Sequence, residues 1–414
     1  MSFLAKLFGY LRLPKITIVS KILLASFVVL FIFGFTEYDP DNLYSYQWGL
    51  KNNGNFMVGN AFLRNNHKAS YFDKTTNDTR FFDRRDIVDY LISHGLAQDS
   101  MKAMENFDIK WDMGYEFFKS IVGGRKSIIA LIDTGVDITH FELIDSIWIN
   151  ENEIRDNGVD DDRNGYIDDV CGYNFNGKNN NVMPENQSEV HGTHAAGIMV
   201  AKHNNMGTKG IAYDENIKLM PLKVLDSNEN GYMSSVIAAI NYAKSKGAKI
   251  CNISLGAYTY DYNIDQVIKN NSDMLFIVSA GNGMDFVGYS LDERDVYPAK
   301  LDYDNVITVS NASFNGERFI SANFGSYVDI FAPGTFILST APKNDFAYMT
   351  GTSMAAPFVS AVCAMIYSKF PNVPISDYKK LIIESASEVY ALSNFSKSRG
   401  LLNVYSALVN ASKY

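Results

Sequence analysis

From about Ser127 onward the chain passes through five short apolar segments: SIIALID (127–133), IKLMPLKVL (217–225), AKICNISLG (248–256), MLFIVSAGN (274–282) and NVITVSNA (305–312). Longer stretches of helical texture separate them. A tight turn cannot join parallel neighbours, so short apolar strands alternating with helices specify a parallel sheet with crossover helices on its faces. Met233 to Lys246 reads as an amphipathic crossover helix between the second and third strands. Ser353 to Lys369 is apolar nearly all round and is stopped by Phe370-Pro371, which predicts a helix buried in the middle of the molecule. Upstream, Ile87, Val88, Leu91, Ile92 and Leu96 recur at helical spacing within Asp83 to Phe107. The expected fold class is α/β: three layers, a mostly parallel central sheet flanked by helices, preceded by an N-terminal hydrophobic segment.

With 414 residues, 47% of them hydrophobic and 20% charged, the chain has material for a large core and is not a disordered tail. Subtracting 46 acidic from 37 basic residues leaves a net charge of -9, which argues against nucleic acid as a partner. Cys171, Cys251 and Cys363 are too few and too scattered for a disulfide framework or a cysteine-ligated zinc site.

Lys6, Arg12, Lys15 and Lys21 precede the uncharged run Ile22 to Phe35, and Glu37, Asp39 and Asp41 follow at once. This pattern reads either as a signal peptide or, counted back to Ile16, as a signal anchor with Lys21 snorkelling. No clear Ala-x-Ala cleavage site follows, which favours the anchor. The charge asymmetry places everything from Glu37 onward across the membrane, so the expected localisation is membrane-anchored outside the cytoplasm, or secreted after cleavage. The expected organisation is a targeting segment over residues 1–36, an N-terminal extension over 37–105 and a catalytic domain over 106–414.

Three clusters lie at strand ends and helix starts, where parallel sheets carry their active sites. Asp133 closes SIIALID and is followed by Thr134-Gly135; His191 opens HGTHAAG; Ser353 sits in GTSMAAP at the first turn of the buried helix. Together they are the parts of an activated nucleophile: serine attacks, histidine takes its proton, and aspartate fixes the tautomer. Each alone is weak, since Asp-Thr-Gly also marks aspartic proteases and His-x-x-His is half of many metal sites.

The order Asp, His, Ser within DTGVD, HGTHAAG and GTSMAAP resembles the subtilisin-like serine proteases, the subtilases, from about Asp108 to Leu408. The resemblance implies a serine endopeptidase with a polypeptide substrate and Asp133, His191 and Ser353 as its triad, working through an acyl-enzyme; apart from substrate and membrane, a monomer is expected. It assigns Asn282 of SAGN as the side-chain oxyanion donor, paired with the Ser353 amide, and makes His194 a structural neighbour. Ser254, Leu255 and Gly256 would bind substrate backbone and form one wall of the primary pocket; Ser279, Ala280 and Gly281 would form the other. A catalytically idle subtilase fold serving as a binding or scaffolding module is the alternative. Two departures stand out. Phe358-Val359-Ser360-Ala361 replaces the usual His-Val-Ala-Gly, a difference expected to touch packing rather than chemistry. The LYSYQWGLKNNG start comes directly behind the hydrophobic run, which is expected to leave no room for the usual inhibitory propeptide, and Asn55 to Glu105 read as an insertion between that start and DIKWDMGYEF.

The segment DNGVDDDRNGYIDD (156–169) carries oxygen ligands at alternating positions: Asp160, Asp162, Asn164, the Tyr166 carbonyl and Asp168, with Gly165 at the turn. Such spacing suits a hard cation, so calcium is the expected structural cofactor. The twelfth position is Cys171 rather than glutamate, leaving Asp161 or Asp169 to complete the set. Family resemblance implies a second calcium position at Gln47, Glu142, Asn204 and carbonyls of Lys202 to Thr208.

Overall fold

The computed structural model describes residues 43–44, 47–53, the strand segments 70–73 and 78–81, and residues 103–414 apart from 187–188, 205, 228–229 and 284–286. In chain order the elements are β1 (Ser70–Asp73), β2 (Asp78–Phe81), α1 (Trp111–Ser120), β3 (Ser127–Asp133), β4 (Tyr173–Asn174), α2 (His191–Val200), β5 (Ile217–Lys223), α3 (Met233–Ser245), β6 (Ile250–Ile253), α4 (Tyr262–Asn270) and β7 (Leu275–Ser279). They continue with β8 (Val306–Ala312), β9 (Ile330–Pro333), β10 (Ile337–Ala341), β11 (Asp345–Met349), α5 (Thr352–Lys369), α6 (Tyr378–Glu384), β12 (Ser387–Glu388), β13 (Gly400–Leu401) and α7 (Val404–Ala411).

Nine strands make one sheet in the order β12-β13-β9-β8-β7-β6-β3-β5-β4. Every neighbouring pair is parallel except β12 with β13. All five apolar segments of the sequence are strands of this sheet, and both expected helices form, as α3 and α5. Strand side chains alternate between faces, so each strand feeds two cores. Ile129, Leu131, Leu219, Ile250 and Ile277 pack with α2 and α5, whereas Ala130, Ile132, Met220, Cys251 and Phe276 pack with α3 and α4. That is the physical origin of the three layers. Cys251 and Cys363 fall in different cores, and all three cysteines are free. The segment Leu43 to Asn53 belongs to the first core through Trp48, which stacks on Phe107 and meets Phe314 edge-on.

The expected membrane partner and membrane-anchored localisation are corrected: among the described residues no helix is long and apolar enough to cross a membrane. The longest of these, α5 at 18 residues, is packed among β3, β6, β7, β8 and β9 inside the protein. The run Ile22 to Phe35, on which that expectation rested, lies outside the described residues, as does the helical pattern from Ile87 to Leu96.

Candidate active site and acidic loop

Strand β3 stands where chain order along the sheet reverses, because the chain leaves it for β4 and β5 on one side and later returns to β6 on the other. Crevices open at the carboxyl ends of the strands around such a switch. Asp133 ends β3, Lys223 ends β5 as its register partner, and Ser254 follows β6.

Helix α2 begins against the turn after Asp133. A Cβ on Gly192 would lie 2.1 Å from the Gly135 carbonyl oxygen, so only glycine permits this approach. The Gly192 amide donates to Thr134 Oγ1 at 3.1 Å. His191, at the helix start, thereby reaches Asp133, with Nδ1 to Oδ1 at 2.7 Å. An ionised carboxylate only accepts, so Nδ1 carries the proton and Nε2 is the basic nitrogen. Asp133 Oδ1 also accepts from the Thr134 amide at 2.7 Å, and its side chain is 2% exposed against 16% for His191.

Ser353 is the second residue of α5. Its Oγ donates to the Ser254 carbonyl at 3.2 Å, and Ser254 Oγ donates to the Ser353 carbonyl at 3.1 Å. Ser254 Oγ in turn accepts from Asn252 Nδ2 at 2.9 Å, and Ser360 Oγ donates to Asn252 Oδ1 at 2.8 Å. The buried Asn252 and Ser360 were missed in the sequence, and Ser360 belongs to the stretch expected to affect packing alone. No local spacing links a strand residue to a helix residue 108 positions on.

Asn282 Oδ1 accepts from the Thr352 amide at 3.2 Å, which leaves Nδ2 as its donor end. A Cβ on Gly351 would stand 3.4 Å from Asn282 Nδ2 and 3.8 Å from the Ser353 amide nitrogen, so both donors border the same space. Arg318 braces this arm from behind: its guanidinium donates to the carbonyls of Phe319, Ile320 and Ala322, and Ala322 forms a bridge with Asn282. Leu255 and Gly256 lie beside Ser254, with Leu255 half-buried and Gly256 exposed. On the β7 side, the Ala280 carbonyl accepts from Asn323 Nδ2 and its amide donates to Val309, so both of its backbone groups are engaged within the protein. Gly281 has φ of 84°, and its carbonyl accepts from the Asn323 amide. His194 sits deeper, fully buried, with Nε2–H shared between the Ile337 and Ala347 carbonyls at 2.9 and 3.1 Å.

In the acidic loop the oxygens of Glu153, Asp160 and Asp162 converge, with ligand atoms within 4.8 Å of one another. Asp160 also accepts from the Asn164 and Gly165 amides at 2.9 and 2.8 Å, which winds the loop around its carboxylate. Glu153 Oε2 and Asp162 Oδ1 are buried and accept no hydrogen bond, the condition that a bound cation satisfies. The other expected side-chain ligands accept hydrogen bonds within the loop. Asp168 accepts from the Asn157 and Gly158 amides, Asn164 from the Tyr166 amide, and Asp161 from the Ile154 amide. The Tyr166 ring packs edge-on against Tyr173, Phe175 and Tyr242. Asp169 takes Asn150, Asn164 and Tyr242. Lys246 pairs with Asp162 Oδ2 and holds that carboxyl below its ordinary range despite burial. Glu153 lies seven residues before Asp160, outside the alternating pattern, so spacing carried no sign of it. At the second expected position, Gln47 exchanges both amide groups with the Lys209 backbone at 3.0 and 2.8 Å, and Asn204 Oδ1 accepts from the Met206 amide. Glu142 there is buried, close against Gly207.

A sequence profile described as the subtilase family, peptidase S8, matches residues 124–405. Subtilisin-like protease 1 of Plasmodium falciparum is 36% identical over 273 residues, which make up 61% of this chain and 38% of that protein. A thermophilic serine proteinase of a Bacillus species is 30% identical over 304 residues, 73% of this chain and 64% of that one. Among solved structures, a protease from Pseudoalteromonas arctica superposes with a TM-score of 0.57 at 23% identity, over 73% of this chain and 94% of that chain, a likeness of fold.

Proposed function

The chain belongs to the subtilase family, and from that premise we propose that it is a serine endopeptidase in which Ser353, His191 and Asp133 act as the catalytic triad. The hydrogen bond from His191 Nδ1 to Asp133 Oδ1 carries this reading, since it leaves Nε2 as the base and sets it beside the crevice at the sheet's switch point. Ser353 Oγ attacks the scissile carbonyl carbon while its proton passes to His191 Nε2. The carbonyl oxygen takes the negative charge and is met by Asn282 Nδ2 and the Ser353 amide. Collapse expels the amine, which takes the proton from Nε2, and leaves an ester on Ser353; water, deprotonated by the same nitrogen, releases the acid. An extended polypeptide would lie between Ser254–Gly256 and Ser279–Gly281.

Residues 106–414 are the proposed catalytic domain, joined to a residue 37–105 extension whose first part, Leu43 to Asn53, supports it by sharing the core. Calcium is the proposed structural ion. Glu153, Asp160 and Asp162 would hold it, and it would neutralise their mutual repulsion and tie the loop together. A separate calcium ion at Gln47, Glu142 and Asn204 is supported by their shared loop, with one carboxylate among them.

The test is labelling of the full chain with a fluorophosphonate, alongside casein cleavage, for wild type and Ser353→Ala. Labelling and cleavage that vanish together in the variant support the endopeptidase. A folded wild type that neither labels nor cleaves would make the chain a binding module built on the same fold.

A further inference from the structure

Lys223 is the register partner of Asp133 across the β3–β5 ladder, and its side chain is 1% exposed. Burial of an ammonium is costly without a partner, and here it has two on different elements. Lys223 Nζ donates to the Thr134 carbonyl, next to Asp133, and to the carboxylate of Glu189, which is 0% exposed and stands two residues before His191. Glu189 Oε2 also accepts from the Glu185 amide at 2.6 Å, so the carboxylate is held on both oxygens. The lysine stem runs under Gly135, where a Cβ would lie 3.3 Å from Lys223 Cδ and where φ is +127°. Glu185, Asp226 and Asp133 also face the ammonium and oppose the loss of its charge through desolvation.

We propose that the buried Lys223–Glu189 pair is a positioning device for the catalytic dyad, strapping the turn that carries Asp133 to the start of the helix that carries His191. The inference rests on the triad assigned above. Asp133 and His191 belong to elements 58 residues apart in sequence, joined by a stretch whose described residues form only the three-residue 3-10 turn Ile144–Ser146 and the two-residue β4. Their 2.7 Å contact therefore depends on what ties those elements together at the crevice. The links that do so include Gly192 to Thr134, the Asp137 amide to Thr193 Oγ1, the dyad itself, and Lys223 with Glu189. Lys223 differs from the other non-reacting links in bridging the two segments through one buried ammonium and a buried carboxylate. Lys223 and Glu189 are buried, at 1% and 0% exposure, so their effect acts through Asp133 and His191.

The experiment compares the full chain as wild type, as Glu189→Gln, and as the double variant Lys223→Met with Glu189→Leu. The double variant removes both charges while keeping apolar volume, so no lone charge is left buried. Glu189→Gln keeps an acceptor oxygen and the side-chain size, and gives a second folded form. Readouts are the thermal midpoint, kcat and KM on a peptide substrate, the pH profile of kcat/KM, and the low-field proton resonance of His191 Nδ1–H. Expected for the double variant is a midpoint near wild type, KM little changed, kcat lower by about 10–100-fold, and a weakened low-field resonance. Glu189→Gln falls between. A folded variant of either kind with wild-type kcat, pH profile and resonance would overturn the strap. Failure of wild type itself to cleave or to label at Ser353 sinks the protease reading instead, and the resonance still reports whether the strap holds the dyad.

Discussion

Ser254 and Ser353 hold each other reciprocally: each hydroxyl donates to the other's backbone carbonyl, at 3.1 and 3.2 Å. The arrangement depends on Pro357, four residues after Ser353 within α5. A helix would ordinarily close the residue 357 amide onto the Ser353 carbonyl, but proline has no amide hydrogen. The freed carbonyl is available to Ser254 Oγ, and through it to Asn252 and Ser360.

Ser360→Ala tests the far end of that chain. It leaves the buried Asn252 Oδ1 without the donor it now has, a loss of about 1–3 kcal/mol in urea unfolding, read in the Ser353→Ala background to prevent self-cleavage. In the active chain kcat is expected to fall more than KM rises. Unchanged stability and turnover would show that the hydroxyl is idle.

Asn282→Leu tests the proposed oxyanion donor, which would serve the transition state and not the ground state. Turnover is expected to drop by about 100–1000-fold with KM little altered, measured by steady-state peptide hydrolysis. A loss confined to KM would place Asn282 in substrate binding instead.

Chelation should lower the thermal midpoint, and the carboxylates of the acidic loop should divide sharply. Glu153→Gln and Asp162→Asn are expected to weaken calcium binding in calorimetry, because their oxygens converge. Asp168→Asn should leave affinity nearly intact, because its carboxylate is turned to the Asn157 and Gly158 amides. A full complement of calcium at about 100 times Kd adds about 2.7 kcal/mol to stability, so a midpoint indifferent to chelator would argue against the ion.

Acid should weaken the fold in a window set by buried histidines. Desolvation lowers the His194 pKa to about 4 from its ordinary 6.5, against the pull of its two carbonyl acceptors, and burial lowers His140 in the same direction. The unfolded chain thus binds more protons than the folded one between those values. Stability is full above about pH 6.5 and drains away as pH falls toward about 4. Burial alone would raise the Asp302 carboxyl, but Lys379 and Lys397 hold it at about 2, so its contribution is lost in a lower range. Urea midpoints of the Ser353→Ala protein between about pH 8 and about pH 4 check this, and a flat profile would refute it.

Much of the active site is legible in the sequence, because its carriers are local. A strand that ends in Asp133-Thr134-Gly135, a helix that opens at His191 with glycine behind it, and a serine on the first turn of an apolar helix each announce themselves over a few residues. The inserted region is less legible. From it the structure describes the hairpin β1–β2, paired from Ser70 with Phe81 to Asp73 with Asp78, in a stretch whose polar and aromatic mixture shows no strand period. The hairpin β10–β11, whose Ile337 and Ala347 carbonyls receive His194, is equally hard to read from the chain; its strands are short, and their burial comes from neighbours distant in sequence.

The sequence by itself determined the parallel sheet, the buried helix and the candidates for nucleophile, base and orienting carboxylate, since strand period, helix period and turn residues act between neighbours in the chain. Tertiary structure alone decided which partners those groups have. It brought Glu153 rather than Asp168 into the acidic cluster, set Ser360 beneath Asn252, and placed Lys223 between Thr134 and Glu189. Those meetings are fixed by strand register and by helix packing across the two faces of the sheet, and neither quantity is contained in local spacing.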